Sequence, residues 1–173
     1  MRFRITNIVL SLRWSVPNSS KVQESGLGEI ADVPCGKDIL RNAEKYGIGG
    51  LNLPVLVIDH NIRVQAANEP ACRLLSKNHF QIQGHAPGEV IQCVHAEEPG
   101  GCGQTVHCLS CVLRQTVTHT MIIGKECRNV MADSDTPLPG AGRRIHYLIS
   151  TEMLNNFVCL TIHEAKSDVS SSY

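Results

Sequence analysis

The sequence predicts an α+β domain, a five-stranded antiparallel sheet with short helices and one longer helix on one face. Three observations carry this. Two β-rich stretches joined by a tight turn open the ordered part, at residues 51–66. Three more strand-like stretches close it, at residues 126–164. The stretch between them has helical periodicity broken by glycine loops. Strands grouped at the two ends with helices between them read as an antiparallel sheet with its helices segregated to one face.

The elements follow in order. Residues 1–36 are read as a flexible extension. Residues 15–37 are rich in Ser, Gly, Pro and Asn, without periodicity. The first twenty residues carry Arg2, Arg4 and Arg13 and no acid. Their apolar run from Ile5 to Leu12 is short and mixed, so it does not read as a secretory signal. A basic amphipathic segment touching a membrane or a partner is the other reading. Residues 37–46 (KDILRNAEKY) make a short helix stopped by Gly47. Leu51 to Asp59 and Ile62 to Ala66 are strands joined at His60-Asn61. Asn68 caps a helix from Glu69 to Ser76, with Ala71, Leu74 and Leu75 facing inward.

Residues 77–105 are loop-rich, with one helical turn expected over Glu89 to Cys93. A helix runs from Val106 to about Met121, where Leu113, Val117 and Met121 recur at i+4, and Gly124 ends it. Glu126 to Ala132, Arg144 to Leu154 and Phe157 to Glu164 are strands, the last two joined by Asn155-Asn156. The expected domain spans residues 47–165. Residues 166–173 form a Ser-rich, disordered tail.

Composition narrows the function. The 173 residues carry 16 Lys+Arg against 16 Asp+Glu, so no basic excess is available to neutralise phosphates, and nucleic acid is not an expected partner. No run approaches the roughly 18 apolar residues of a membrane span. Without an export signal the expected location is the cytoplasm. Clustered thiols there read as metal-binding or redox-active before they read as disulfides.

The chain has 8 Cys and 8 His. Cys93, Cys102, Cys108 and Cys111 follow the spacing C-x8-C-x5-C-x2-C, and Cys102 sits within Gly100-Gly101-Cys102-Gly103. Cys108 and Cys111, at i and i+3, are expected on one face of the first turn of the long helix, where its N-terminus favours thiolates. Glycines let the backbone approach a ligand closely. Four thiolates converging from a loop and a helix start suit a zinc ion or an iron–sulfur cluster. Only one close-spaced knuckle is present, which favours the iron–sulfur cluster, with zinc as the alternative.

His95 and His107 flank the cluster, as substitutes for a thiolate or as partners behind the ligands. A c-type haem is excluded because Val112, not His, follows Cys111. His107 or His119 could still hold a non-covalent haem. His60, His79, His85, His146 and His163 read as surface or turn residues. Cys72 and Cys159 read as buried small apolar side chains, and Cys35 and Cys127 as incidental thiols. A disulfide-exchange enzyme using Cys108 and Cys111 is a further reading, without the βαβ context such enzymes use. The motifs of serine hydrolases, P-loop proteins, dinucleotide-binding folds and zinc peptidases are missing. Asp133 and Asp135 read as a solvated loop pair. The chain is therefore not expected to be an enzyme.

Residues 54–75, PVLVIDHNIRVQAANEPACRLL, resemble the opening of a PAS domain: a strand ending at an acid (Asp59), a second strand, then an Ala-Asn step (Ala67-Asn68) into a short helix. Gly84 and Gly88-Glu89-Val90-Ile91 look like the loop and helical turn before that family's long helix. Residues 88–117, GEVIQCVHAEEPGGCGQTVHCLSCVLRQTV, are similar to a Cys-rich subgroup of bacterial PAS domains found in front of histidine kinases and other regulators. The resemblance implies a sensor and dimerisation module with a metal or cluster on the four cysteines. It implies a two-component setting; the four-cysteine centre is expected to sense oxygen or redox state. No kinase transmitter or DNA-binding segment follows Glu164 here, so the output is expected to pass through a histidine kinase, another regulatory protein, or the chain's own dimer. A PAS-like interaction module stapled by zinc is the alternative.

Overall fold

The computed structural model describes residues 43–136 and 143–168. The expected N-terminal extension, most of the 37–46 helix, Cys35, residues 137–142 and the end of the tail lie outside them. The backbone is helical at residues 43–45.

Five strands form one antiparallel sheet: β1 (Val55–Ile58), β2 (Val64–Ala67), β3 (Cys127–Thr136), β4 (Arg143–Leu154) and β5 (Phe157–Ser167). Their order is β2-β1-β5-β4-β3. Three α-helices lie between β2 and β3: α1 (Glu69–Leu75), α2 (Pro87–Val90) and α3 (Val112–Ile123). This is the PAS-like α+β architecture the sequence led us to expect. The last strand sits in the middle of the sheet, with the first strand on one side of it and β4 on the other.

β1 shows why its sequence lacks alternation. All four residues are buried. Leu56 and Ile58 face the helices, in a core with Val64, Ile82, Val117, Ile149 and Leu160. Val55 and Val57 face the other way, against Ala43, Ile48, Ala66 and Cys159. Tyr46 closes this second layer, its ring edge-on to Phe157 at 5.0 Å. A strand covered on both faces reads as a continuous apolar run. The segment before β1 thus covers the sheet face that the helices leave open.

Two polar residues set the hairpin and its exit. Asp59 Oδ1 accepts from the N–H groups of Asn61 and Arg63, both at 2.9 Å, and Oδ2 accepts from Gln65 Nε2 at 2.8 Å. The turn between them brings Ile62 to φ 57°. A branched residue there cannot continue a strand, so β2 starts at Val64 rather than at Ile62. Asn68 is fully buried. Its Oδ1 accepts from Val55 N–H at 2.9 Å and Ala71 N–H at 3.1 Å. Its Nδ2 faces the carbonyls of Ile48, Leu51 and Leu53 at 3.4, 3.3 and 2.7 Å. One side chain therefore caps α1 and ties β1 and the preceding loop to it.

The helices depart from expectation in three places. In α1, Ala71 and Cys72 are buried while Leu74 is exposed. At 100° per residue, positions 71, 72 and 75 share a stripe and position 74 falls outside it. The turn expected over residues 89–93 lies earlier, at Pro87–Val90, with proline in its first turn. The helix expected from Val106 is two elements. A 3-10 turn spans Val106–Leu109, Cys111 is extended (φ −66°, ψ 110°), and α3 begins at Val112. The extended backbone at Cys111 cannot continue a helix, so Cys108 does not share a helical turn with it. Gly124, at φ 73°, ends α3 as expected.

β3 runs to Thr136 and β5 to Ser167, further than their sequence patterns indicated. Asp133 and Asp135 are therefore strand residues, not a loop pair, and residues 166–167 belong to β5. Among the described residues no helix is long and apolar enough to cross a membrane.

Candidate metal centre

The stretch between α2 and α3 carries the four cysteines, and each is placed by a different backbone feature. Cys93 follows α2, and its N–H donates to Gly88 O at 2.8 Å. Cys102 lies among Gly100, Gly101 and Gly103, all at positive φ (96°, 75° and 94°). L side chains rarely adopt that conformation, so the loop needs glycine there. Cys108 sits in the 3-10 turn, and Cys111 is the residue before α3. All four line one cavity of about 280 Å³ against the sheet, together with His95, His107, Arg114 and Ser134.

The walls of this cavity are shaped for sulfur. A Cβ added at Gly88 would stand 2.6 Å from Cys102 Sγ. Only glycine lets α2 come this close, and the Gly88 N–H donates to the Cys102 sulfur. Burial pushes the Cys102 thiol up, and the neighbouring Cys108, Cys111 and Cys93 add to that. Cys108 behaves oppositely. Its partial burial is outweighed by donation from Thr105 Oγ1 (3.3 Å), the Gly103 N–H (3.0 Å) and the Thr105 N–H, with the Arg114 guanidinium nearby. Its thiol is held below the ordinary value. The sequence reading placed this effect at a helix N-terminus; the structure assigns it to a tight turn and an arginine.

Ser134 on β3 is buried, and its hydroxyl has no hydrogen-bond partner. A buried unpaired hydroxyl costs about 1–3 kcal/mol. Ser134 lines the cavity that holds the four thiols, so its hydroxyl is a donor available to an occupant that accepts hydrogen bonds. The sulfides and thiolates of an iron–sulfur cluster are such acceptors. The donor set, the glycine cradle and the orphaned hydroxyl therefore fit a metal–sulfur group.

His95 and His107 come together at this site. Their rings stack with centroids 3.8 Å apart and planes at 14°. His95 Nδ1 lies 2.5 Å from Glu98 Oε1. Glu98, Arg114 and Ser134 were not singled out in the sequence. Only Glu98 left a signal there, three residues after His95. His119 is elsewhere, with Nδ1 3.4 Å from Cys127 Sγ, so Cys127 has a partner rather than standing alone. Cys72 and Cys159 are buried as expected, and burial pushes the Cys159 thiol up to about 11.

Of the histidines read as surface or turn residues, His79 is buried and His146 is a clamp. Its Nδ1 lies 2.7 Å from Asp133 on β3, and its Nε2 lies 3.0 Å from Asp168 beyond β5. Asp135 pairs with Arg144 at 3.0 Å. Lys166, opposite His146 in the sheet register, pairs with Glu164. The hydrogen bonds to Asp133 and then Asp168 hold the His146 pKa above its ordinary 6.5. A raised native pKa stabilises fully below the unfolded value, and the gain disappears as pH rises through the native value. A His146→Gln chain is expected to melt below wild type at about pH 5, with the gap closing above neutrality. Thermal unfolding across that range checks this.

No protein-family model matches the sequence, and no curated protein matches it. Solved structures are similar at low identity. A LOV protein of Rhodobacter sphaeroides has 10% identity and a TM-score of 0.47, covering 79% of this chain and 70% of that one. A PAS domain of a Desulfitobacterium hafniense protein has 12% identity and a TM-score of 0.39, covering 69% and 95%. The PAS domain of Bordetella pertussis BvgS has 14% identity and a TM-score of 0.39, covering 76% and 85%.

The cradle gives a sharp expectation. Gly88→Ala places a methyl group 2.6 Å from Cys102 Sγ, with the Cβ atoms of Cys102 and Cys93 at 3.2 and 3.6 Å. The variant is expected to fold, because Gly88 has φ in the ordinary region, but to lose most of its bound metal. Metal analysis alongside circular dichroism checks both halves.

Proposed function

We propose that this chain is a PAS-like sensory module whose Cys93, Cys102, Cys108 and Cys111 hold an iron–sulfur cluster. It reports oxygen or redox state in the cytoplasm, to a histidine kinase or another regulatory protein, or through its own dimer. It binds and signals rather than catalyses. The observation that carries this is the meeting of four thiols, from four separate backbone features, in one cavity beside an unpaired buried donor.

The spacing of the sulfurs supports a cluster over a single zinc ion. A tetrahedral zinc with bonds of about 2.3 Å holds its four sulfurs about 3.8 Å apart. Among the described residues, the group of three or more ligand atoms lying within 4.8 Å of one another is His95, Glu98 and His107, not the thiols. Several irons spread their thiolates more widely than one ion does. A cluster would supply one-electron redox chemistry that is sensitive to its surroundings. The chain's own residues do the rest. Gly103 and Thr105 donate to Cys108, Arg114 offsets negative charge, and Ser134 lines the cavity.

The signal path is short. The cysteine loop packs against β3, and Ser134 is flanked by Asp133 and Asp135, which contact His146 and Arg144 of β4. Loss of the cluster would free residues 93–111 and change the sheet edge at β3, a local event with a wider readout.

Purification without air, followed by iron, sulfide and absorption measurements on one sample, tests the reading. Brown protein with matching iron and sulfide, bleached by air, is the expected result. Colourless protein with one zinc would make the site a structural staple, and metal-free protein with reactive thiols would overturn the metal centre.

A further inference from the structure

We infer that His95, Glu98 and His107 form a second metal site, beside the cysteines and with its own donor set, for a divalent transition-metal ion of the zinc class. Each residue offers one donor atom, and the three atoms lie within 4.8 Å of one another. A tetrahedral ion with ligand bonds of about 2.0–2.2 Å holds its donors roughly 3.4 Å apart. Rotation of three side chains on surface turns covers that difference. His95 and Glu98 are half-buried and His107 is exposed, so an ion reaches the site from solvent and keeps a water in its open position.

The donor types choose the ion. Two imidazoles and one carboxylate suit zinc and its neighbours, whereas magnesium and calcium take oxygen ligands. They also separate this site from the cysteine centre, whose donors are all sulfur. The stacked rings, with centroids 3.8 Å apart, bring two imidazoles to one place.

The placement has a consequence for the neighbouring loop. His95 and Glu98 lie on and just after the 3-10 turn Val94–Ala96, and His107 lies on the turn Val106–Leu109. An ion held by all three ties together the two stretches that carry Cys93 and Cys108. The site therefore orders the cysteine loop whatever the cysteines hold, and it does not depend on the cluster being present.

The test is zinc added to the full chain, purified without air, with the histidine ring nitrogens followed by NMR. The ring nitrogens of His95 and His107 are expected to shift together and saturate at one ion per chain. Cobalt in the same site should show weak visible bands without sulfur-to-metal charge transfer. His95→Gln and His107→Gln should each weaken binding by more than the roughly 10–100-fold cost of losing an outer partner. Glu98→Gln, a milder change on the surface, should weaken it too. Four results would overturn the site: unmoved ring nitrogens, cobalt bound only with sulfur charge transfer, binding unchanged in the histidine variants, or loss of iron and sulfide in those variants. The last would assign the histidines to the cysteine centre. An iron-free wild-type protein would sink the cluster proposal alone, since the ring nitrogens report this site directly.

Discussion

Cys108→Ser, purified without air, is expected to carry essentially no iron or sulfide and to give no spectral response to oxygen. The ligand to a metal is the thiolate, and serine does not ionise to replace it. Cys108 is the thiol the fold prepares for this, with the Gly103 N–H and Thr105 Oγ1 directed at its sulfur and Arg114 nearby. Cys72→Ala and Cys159→Ala are the controls. Both thiols are buried away from the cavity lining, so these variants should keep their iron at a stability cost of about 1–2 kcal/mol. A Cys108→Ser protein with full iron content would remove the cysteine centre from the explanation. Iron lost equally in the Cys72 variant would show that the loss reflects general unfolding.

Asn68→Ala is expected to be a strongly destabilising change, at about 3–4 kcal/mol by denaturant unfolding. The range follows from the groups it strands. The Val55 and Ala71 N–H groups lose their acceptor, and three carbonyls lose their donor, around a side chain that is itself fully buried. Each buried orphan costs roughly 1–3 kcal/mol, less whatever water enters the space left behind. Asn68→Asp should also destabilise. It keeps the acceptor but turns a second carboxylate oxygen towards the carbonyls of Ile48, Leu51 and Leu53. A loss under about 1 kcal/mol for alanine would mean that the loop before β1 relaxes freely and that Asn68 is only a helix cap.

The structure brings all four cysteines to one cavity, although the local structure expected for two of them was different. The helix assumed to organise two of them does not begin until Val112. Periodicity could not reveal this, because Val106, Leu109 and Val112 continue an apolar pattern into the turn. Their side chains are exposed, so the pattern there reports no buried face. Asp133 and Asp135 were misplaced for a related reason. They look like loop residues, yet cross-strand partners on β4 hold them in β3.

The sequence by itself determined the strand–helix order, the turns at His60-Asn61, Gly124 and Asn155-Asn156, the cap at Asn68 and the four thiols as candidates. Each of these rests on residues close together in the chain, where backbone preference and side-chain hydrogen bonding act locally. Only the tertiary structure decided which distant groups meet. It set Gly88 against Cys102, Ser134 opposite the cysteine loop, His95 against His107, and the segment before β1 over the open face of the sheet. Those meetings depend on the order β2-β1-β5-β4-β3 and on how the loop folds back onto β3. The free energy that fixes them is burial, which is shared across the whole core and leaves no mark at any single position.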